Sequence, residues 1–188
     1  ALPFLLSTVP TNSIFALHCL GYSREHPLMV RALWQLQEFE IEENDGLRLQ
    51  PCFSPVWDTA LALVSLAESG VDADQPRIKK AIRWLLDKQT RHMGDWAVKT
   101  KNCQPGGWVF EYQNEFYPDV DDTIMVLMAL KRIQNLAQKW SREFLLEVES
   151  AIHRGLDWVL AMQNGDGGWA SFDKNNNRGI FTKIPYAD

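Results

Sequence analysis

The sequence predicts an all-α fold of helix pairs, in which an apolar inner helix is followed each time by an amphipathic outer one. Three observations carry that prediction. A polar pair followed by an apolar run occurs three times, at Asn12-Ser13-Ile14-Phe15-Ala16-Leu17, Asp58-Thr59-Ala60-Leu61-Ala62-Leu63 and Asp122-Thr123-Ile124-Met125-Val126-Leu127. An amphipathic, charged stretch follows each of them. No segment offers a convincing strand run.

The inner helices are expected over about 13–21, 59–69 and 122–136. Asn or Asp beside Ser or Thr is capping chemistry, because a side-chain oxygen accepts from an orphan N–H of the first turn. On this reading Asp122 is the cap of the third inner helix. Residues apolar on most faces mark a buried helix. The outer helices are expected over about 27–40, 76–90 and 142–163. Pro27 and Pro76 stand where proline is favoured, in a first turn. Arg77, Lys79, Lys80, Arg83 and Asp87 charge one side of the second outer helix. The segment 137–150 suggests no function.

Length and composition bound the rest. The chain has 188 residues, which fits one domain at about 150 residues each. Apolar residues make up 46% and charged residues 23%, which excludes a disordered or collagen-like chain. The longest apolar run, Ile124–Leu130, is far short of the ~20 residues of a membrane-spanning helix. A net charge of −5 without a Lys/Arg cluster argues against nucleic acid as a partner. Cys19, Cys52 and Cys103 form neither an even set nor a C-x-x-C pair, so no disulfide framework or zinc site is expected. A reducing compartment fits that usage. Ala1 is not a start methionine, no signal peptide is visible, and Ile184–Asp188 stops abruptly after a loop. The sequence reads as an internal piece of a longer protein.

Eight tryptophans exceed what a core of this size needs. Three close Gly-rich loops, at Gly94-Asp95-Trp96, Gly106-Gly107-Trp108 and Gly167-Gly168-Trp169. Two belong to a longer repeat. Trp84 and Gln89 lead to Gly94-x-Trp96, and Trp158 and Gln163 lead to Gly167-x-Trp169. A Gln at a helix end can bond neighbouring backbone, and the Trp can stack there, a staple between units that bury their faces only against each other.

These Gln…Gly-x-Trp repeats resemble the QW repeats of the triterpene cyclases. Gln50-Pro51-Cys52-Phe53-Ser54-Pro55-Val56-Trp57-Asp58-Thr59, the stretch from Gly106 through Glu111-Tyr112 to Tyr117-Pro118-Asp119-Val120-Asp121-Asp122-Thr123, and Gly167–Asp173 are similar to squalene–hopene cyclases. The resemblance runs along nearly the whole chain. It implies an α/α-barrel, which six helix pairs close, and places 1–188 within the catalytic domain. It also implies squalene as substrate, no cofactor or metal, and monotopic or peripheral attachment to the cytoplasmic side of a bacterial inner membrane. A homodimer is the implied form of the full-length protein.

Asp119, Asp121 and Asp122 put three carboxylates within four residues. The internal repeat aligns Pro55-Val56-Trp57-Asp58-Thr59 on Asp119-Val120-Asp121-Asp122-Thr123. The Asp-Thr pair recurs, but Pro55 and Trp57 replace Asp119 and Asp121, so the scaffold does not require those two acids. Carboxylates ~4 Å apart at an effective dielectric of about 20 repel by ~4 kcal/mol, roughly 3 pKa units. One stays protonated and can act as a general acid. Protonating an alkene makes a cation that ring faces can stabilise. Trp57, Phe110, Tyr112, Tyr117 and Phe172 are the candidates. The resemblance makes Asp121 the proton donor, with Asp119 and Asp122 supporting it, and matches Trp57 and Phe110 to aromatic cavity positions. Phe172 stands where some relatives carry Tyr. His18, His26, His92 and His153 lie outside the family's motifs and read as structural or exposed.

Other functions fit less well. A diterpene cyclase shares D-x-D-D-T but acts on a prenyl diphosphate and does not account for the repeats. An oxidosqualene cyclase would place Cys after the aspartate. A Mg²⁺-binding D-D-x-x-D motif fails at Met125, and an EF-hand fails at Ile124, where glycine is needed. An α/α-barrel glycosidase would pair distant carboxylates. A non-catalytic helical-repeat scaffold leaves Asp119 and Asp121 unexplained.

Overall fold

The computed structural model describes residues 9–43, 46–50, 53–100, 102–110, 115–176, 179 and 183. Among these residues six α-helices dominate: α1 (Val9–Cys19), α2 (Pro27–Gln37), α3 (Pro55–Glu68), α4 (Pro76–Lys88), α5 (Val120–Leu136) and α6 (Arg142–Met162). Pro27, Pro55 and Pro76 all lie at helix starts, where the missing N–H costs nothing. The all-α expectation holds, with one addition. Glu40–Glu43 (β1) and Gly46–Leu49 (β2) form an antiparallel hairpin in the register Glu40↔Leu49 to Glu43↔Gly46. Strands of four residues, one of them Glu-Ile-Glu-Glu, are too short and too polar for a periodic signal. Arg48 ties the ribbon by an ion pair to Glu43 at 2.8 Å.

The chain divides into two compact units, Ala1–Phe53 and Ser54–Asp188. In the first, α1 packs on α2, and His26 caps α2 through Nδ1, which accepts from the Leu28 N–H. The expectation that the first inner helix is buried is not met, since Phe15 is 63% exposed. Helix α1 also begins before Asn12-Ser13, so that polar pair lies inside the helix.

The second unit has the predicted inner and outer pairs. Helices α3 and α5 lie side by side, α4 packs on α3, and α6 packs on α5. Their shared core includes Val56, Leu63, Ile82, Leu85, Trp108, Val126, Leu130, Ile133 and Val148. Each such buried aliphatic side chain contributes about 1.5–3 kcal/mol. Arg83 of α4 stacks on the Phe144 ring of α6 at 4.6 Å. The turn after α5 is fastened to the turn between α3 and α4. There Trp140 Nε1 donates to the Ala73 carbonyl at 3.0 Å, and Asp74 accepts from the Lys139 N–H at 2.9 Å. The start of 137–150 is thus a structural tie.

Two capping expectations are corrected. Helix α3 starts at Pro55 with Ser54 as its cap residue, so Asp58 is no cap; it accepts from the Ser54 hydroxyl at 3.0 Å. Helix α5 starts at Val120, and its cap is Asp119, whose carboxylate accepts from the Asp122 N–H at 2.7 Å. Sequence alignment of the repeats does not carry over to caps, because the two helices begin at positions offset by one.

The repeat pairing is corrected too. The Trp108 indole donates to the Leu85 carbonyl at 2.7 Å, and the Trp169 indole donates to the Val159 carbonyl at 2.8 Å. Leu85 and Val159 each stand four residues before the repeat glutamine. Gln89 Nε2 donates to the Gly106 carbonyl at 2.7 Å, and Gln163 Nε2 donates to the Gly167 carbonyl at 2.8 Å. The true counterpart of Trp169 is therefore Trp108, not Trp96. Residues 91–105 are an insertion containing a short 3₁₀ turn, Asp95–Val98, and an inserted loop breaks the equal spacing that pairing by sequence relies on. The Trp96 indole N–H is buried without a hydrogen-bond partner among the described residues, and its ring meets Trp158 edge-on at 5.8 Å.

Candidate active site

The acid motif sits where three segments converge on the start of α5. The first is the Gly106-Gly107-Trp108 strand-like segment. Trp108 bridges to Asp119, whose N–H donates to the Trp108 carbonyl at 3.0 Å. The Thr123 hydroxyl accepts from the Trp108 N–H at 2.9 Å and donates to the Asp119 carbonyl at 2.6 Å. This closes a small polar ring that fixes the motif's backbone. Glycine is required beside it. A Cβ on Gly106 would collide with the Arg154 carbonyl of α6, so no other residue lets the segment approach that helix.

The second segment is the end of α4. Gln89 is buried and donates to both Gly106 and Ala151, the latter at 2.9 Å, while its Oε1 accepts from Arg154 at 2.6 and 3.1 Å. Thr90 adds two bonds to the Gly107 carbonyl, from N–H at 2.9 Å and from its hydroxyl at 3.0 Å. The third segment follows Trp169. The Val120 N–H donates to the Ser171 carbonyl at 2.9 Å, and the Ser171 hydroxyl donates to Asp121 Oδ2 at 3.5 Å.

The three acids differ sharply in setting. Asp119 and Asp122 are buried, at 5% and 2% exposure, whereas Asp121 is exposed. Burial pushes Asp122 up to about 9, helped by its hydrogen bond to Asp119 and by the charges of Asp119 and Asp121. Burial also raises Asp119, against the lowering effect of the bonds it accepts from Asp122. The pair therefore holds a proton at neutral pH, with Asp122 as its donor. Asp122 Oδ1 is buried with no hydrogen-bond partner among the described residues, which a neutral carboxyl tolerates far better than a carboxylate does.

The predicted aromatic residues divide. Tyr117 precedes the motif by two positions, and its hydroxyl donates to Asp95 Oδ2 at 3.1 Å, a bond that raises the phenol. Phe110 is half-buried two residues beyond Trp108, and Phe172 is partly exposed next to Ser171. These three lie on segments that touch or adjoin the acids. Trp57 is half-buried in the first turn of α3, the helix beside α5. Tyr112 and Cys52 lie outside the described residues. A cavity of about 500 Å³ opens elsewhere, lined by Asn102–Pro105, Arg154, Asp157 and Ala161 and by none of the acids. His26 is a cap, His92 pairs with Glu115 at 3.1 Å, His153 with Glu149 at 3.5 Å, and His18 is exposed.

Sequence reasoning missed Thr123, Gln89 and Ser171 as neighbours of the motif. Gln89 was visible as a repeat residue. Ser171 stands 50 positions from Asp121, and no local pattern links the two.

Residues 53–188 match the family model described as the squalene-hopene cyclase C-terminal domain. The chain is 38% identical over 178 residues to the squalene–hopene cyclase of Bradyrhizobium diazoefficiens, covering 94% of this chain and 26% of that protein. It is 38% identical over 165 residues to that of Alicyclobacillus acidocaldarius, covering 87% and 25%. It is 43% identical over 147 residues to that of Schizosaccharomyces japonicus, covering 74% and 21%. It thus spans about a quarter of the length of these relatives. A match over most of its length, together with a paired-helix fold carrying the acid motif at the head of α5, means that this chain belongs to the squalene–hopene cyclase family.

Proposed function

We propose that residues 1–188 form part of the catalytic α/α-barrel domain of an enzyme that cyclises squalene to hopene, with hopanol as a possible hydrated product. The observation that carries this reading is the exposed Asp121 flanked by the buried Asp119 and Asp122 at the head of α5. An exposed acid beside two buried ones suits proton delivery to an apolar substrate, because crowded carboxyls favour keeping a proton within the cluster.

Asp121 transfers its proton to a terminal alkene carbon. A C–H bond forms from the alkene π pair, a tertiary cation remains, and Asp121 is left as a carboxylate. Successive double bonds then close rings onto the cation. Loss of a proton, or capture of water, ends the sequence. Trp57, Phe110, Tyr117 and Phe172 would stabilise the intermediate cations through their ring faces. Squalene is a hydrocarbon that partitions into lipid, so the enzyme would work at a membrane surface. Peripheral or monotopic contact is the mode proposed; among the described residues no helix is long and apolar enough to cross a bilayer.

The test is expression of the longest open reading frame encoding this chain, incubation with squalene, and product analysis by mass spectrometry. A prenyl diphosphate serves as the competing substrate. Pentacyclic hydrocarbon from squalene is the expected result; turnover of the diphosphate alone would replace this reading with a diterpene cyclase. Asp121→Asn should reduce turnover by several orders of magnitude with little change in melting temperature.

A further inference from the structure

Of the three acids, Asp121 is the one left outside the buried pair, and the hydrogen bond described for its carboxylate comes from a distant loop. The Ser171 hydroxyl donates to Asp121 Oδ2 at 3.5 Å. That loop is not placed by chance. Its backbone is fastened to the acid motif through the Val120 N–H and Ser171 carbonyl, at 2.9 Å. On one side the Trp169 indole holds it to the Val159 carbonyl of α6 at 2.8 Å. On the other, Asp173 pairs with Lys99 at 3.2 Å, and Lys174 Nζ donates to the Ala161 carbonyl at 2.9 Å. Residues on both sides of Ser171 are therefore tied to the body of the fold, and the hydroxyl is held beside the acid.

We propose that Ser171 is a positioning residue for Asp121 in the protonation step, a role that rests on the proton-transfer reading above. Its hydroxyl holds the Asp121 carboxyl in one rotamer before the transfer. It then donates to the carboxylate left once the proton has moved to the alkene carbon. A donor aimed where negative charge develops stabilises the transition state more than the ground state, so its effect falls on kcat and not on binding. The main-chain bond from Val120 is independent of the side chain. Removing the hydroxyl therefore deletes one bond and leaves the loop in place.

The experiment uses the full-length protein with squalene. Ser171→Ala should lower kcat by about 10- to 100-fold, the effect of one hydrogen bond to a charged group, with KM within twofold and the product profile unchanged. Ser171→Thr retains a hydroxyl and should restore kcat to within a few fold of the parent. Ser171→Cys, with only a weak donor of similar size, should stay impaired, and it serves in place of the alanine variant if that one melts early. A parent that cyclises squalene while all three variants keep its kcat overturns the role of Ser171. Equal losses in Ala and Thr variants would also overturn it, since packing and not the hydroxyl would be responsible. A parent without cyclase activity overturns the acid reading and this role together.

Discussion

The N–H of Asp122 donates to the Asp119 carboxylate at 2.7 Å, so the first acid of the motif caps α5 and the last is buried beneath it. One carboxylate therefore serves the fold and the site together. It satisfies an orphan N–H and also accepts the proton-bearing bond of its neighbour.

This division of labour predicts the effect of cap removal. Asp119→Ala in the full-length protein should destabilise by about 0.5–2 kcal/mol, the usual range for losing a cap, and should free Asp122 from its partner. Asp58→Asn should change stability by less than ~0.5 kcal/mol, because Asp58 is exposed and caps nothing. Urea melts of both variants check the contrast. A larger loss at Asp58 would contradict the cap assignment.

The buried pair also sets a pH dependence. In the unfolded chain Asp122 titrates as an ordinary Asp near about 3.9, whereas in the fold it is pushed up to about 9. The folded state thus binds the extra proton between those values. Its stabilisation is fully present below about pH 4 and is lost as pH rises through about 9, at no more than ~1.4 kcal/mol per pH unit for one proton. Asp122→Asn keeps a donor toward Asp119 without a titrating group. Its stability relative to the parent should rise steadily from pH 5 to pH 9, as read by denaturant melts at fixed pH.

The corrected repeat pairing separates two tryptophans. Trp108→Phe removes the bond to the Leu85 carbonyl and should cost about 1–3 kcal/mol in a buried setting. Trp96→Phe removes an N–H that bonds nothing among the described residues, so it loses only ring volume and should cost less. Thermal melts of the two variants decide it, and equal losses would return Trp96 to the repeat.

Phe110 tests cation steering apart from initiation. A desolvated cation–π contact is worth about 2 kcal/mol, roughly thirtyfold in the rate of one ring closure. Phe110→Ala should therefore release products with fewer rings than the parent product. A lower melting temperature with an unchanged product profile would leave Phe110 as a packing residue.

The sequence by itself determined the paired-helix architecture, because apolar spacing and proline at helix starts are local signals that burial then reinforces. It also singled out Asp119, Asp121 and Asp122, since three acids in four residues exceed what one helix start needs. Only the tertiary structure decided which acid caps, which is buried, and which stays exposed. Those outcomes depend on where α5 begins relative to Trp108 and Thr123, a choice made by hydrogen bonds between segments far apart in the chain. The same holds for Trp108 as the partner of the Gln89 repeat, hidden by the 91–105 insertion, and for Ser171 beside Asp121. A contact across 50 residues leaves no trace in local periodicity, because it is selected by packing of the whole unit and not by the propensities of either segment.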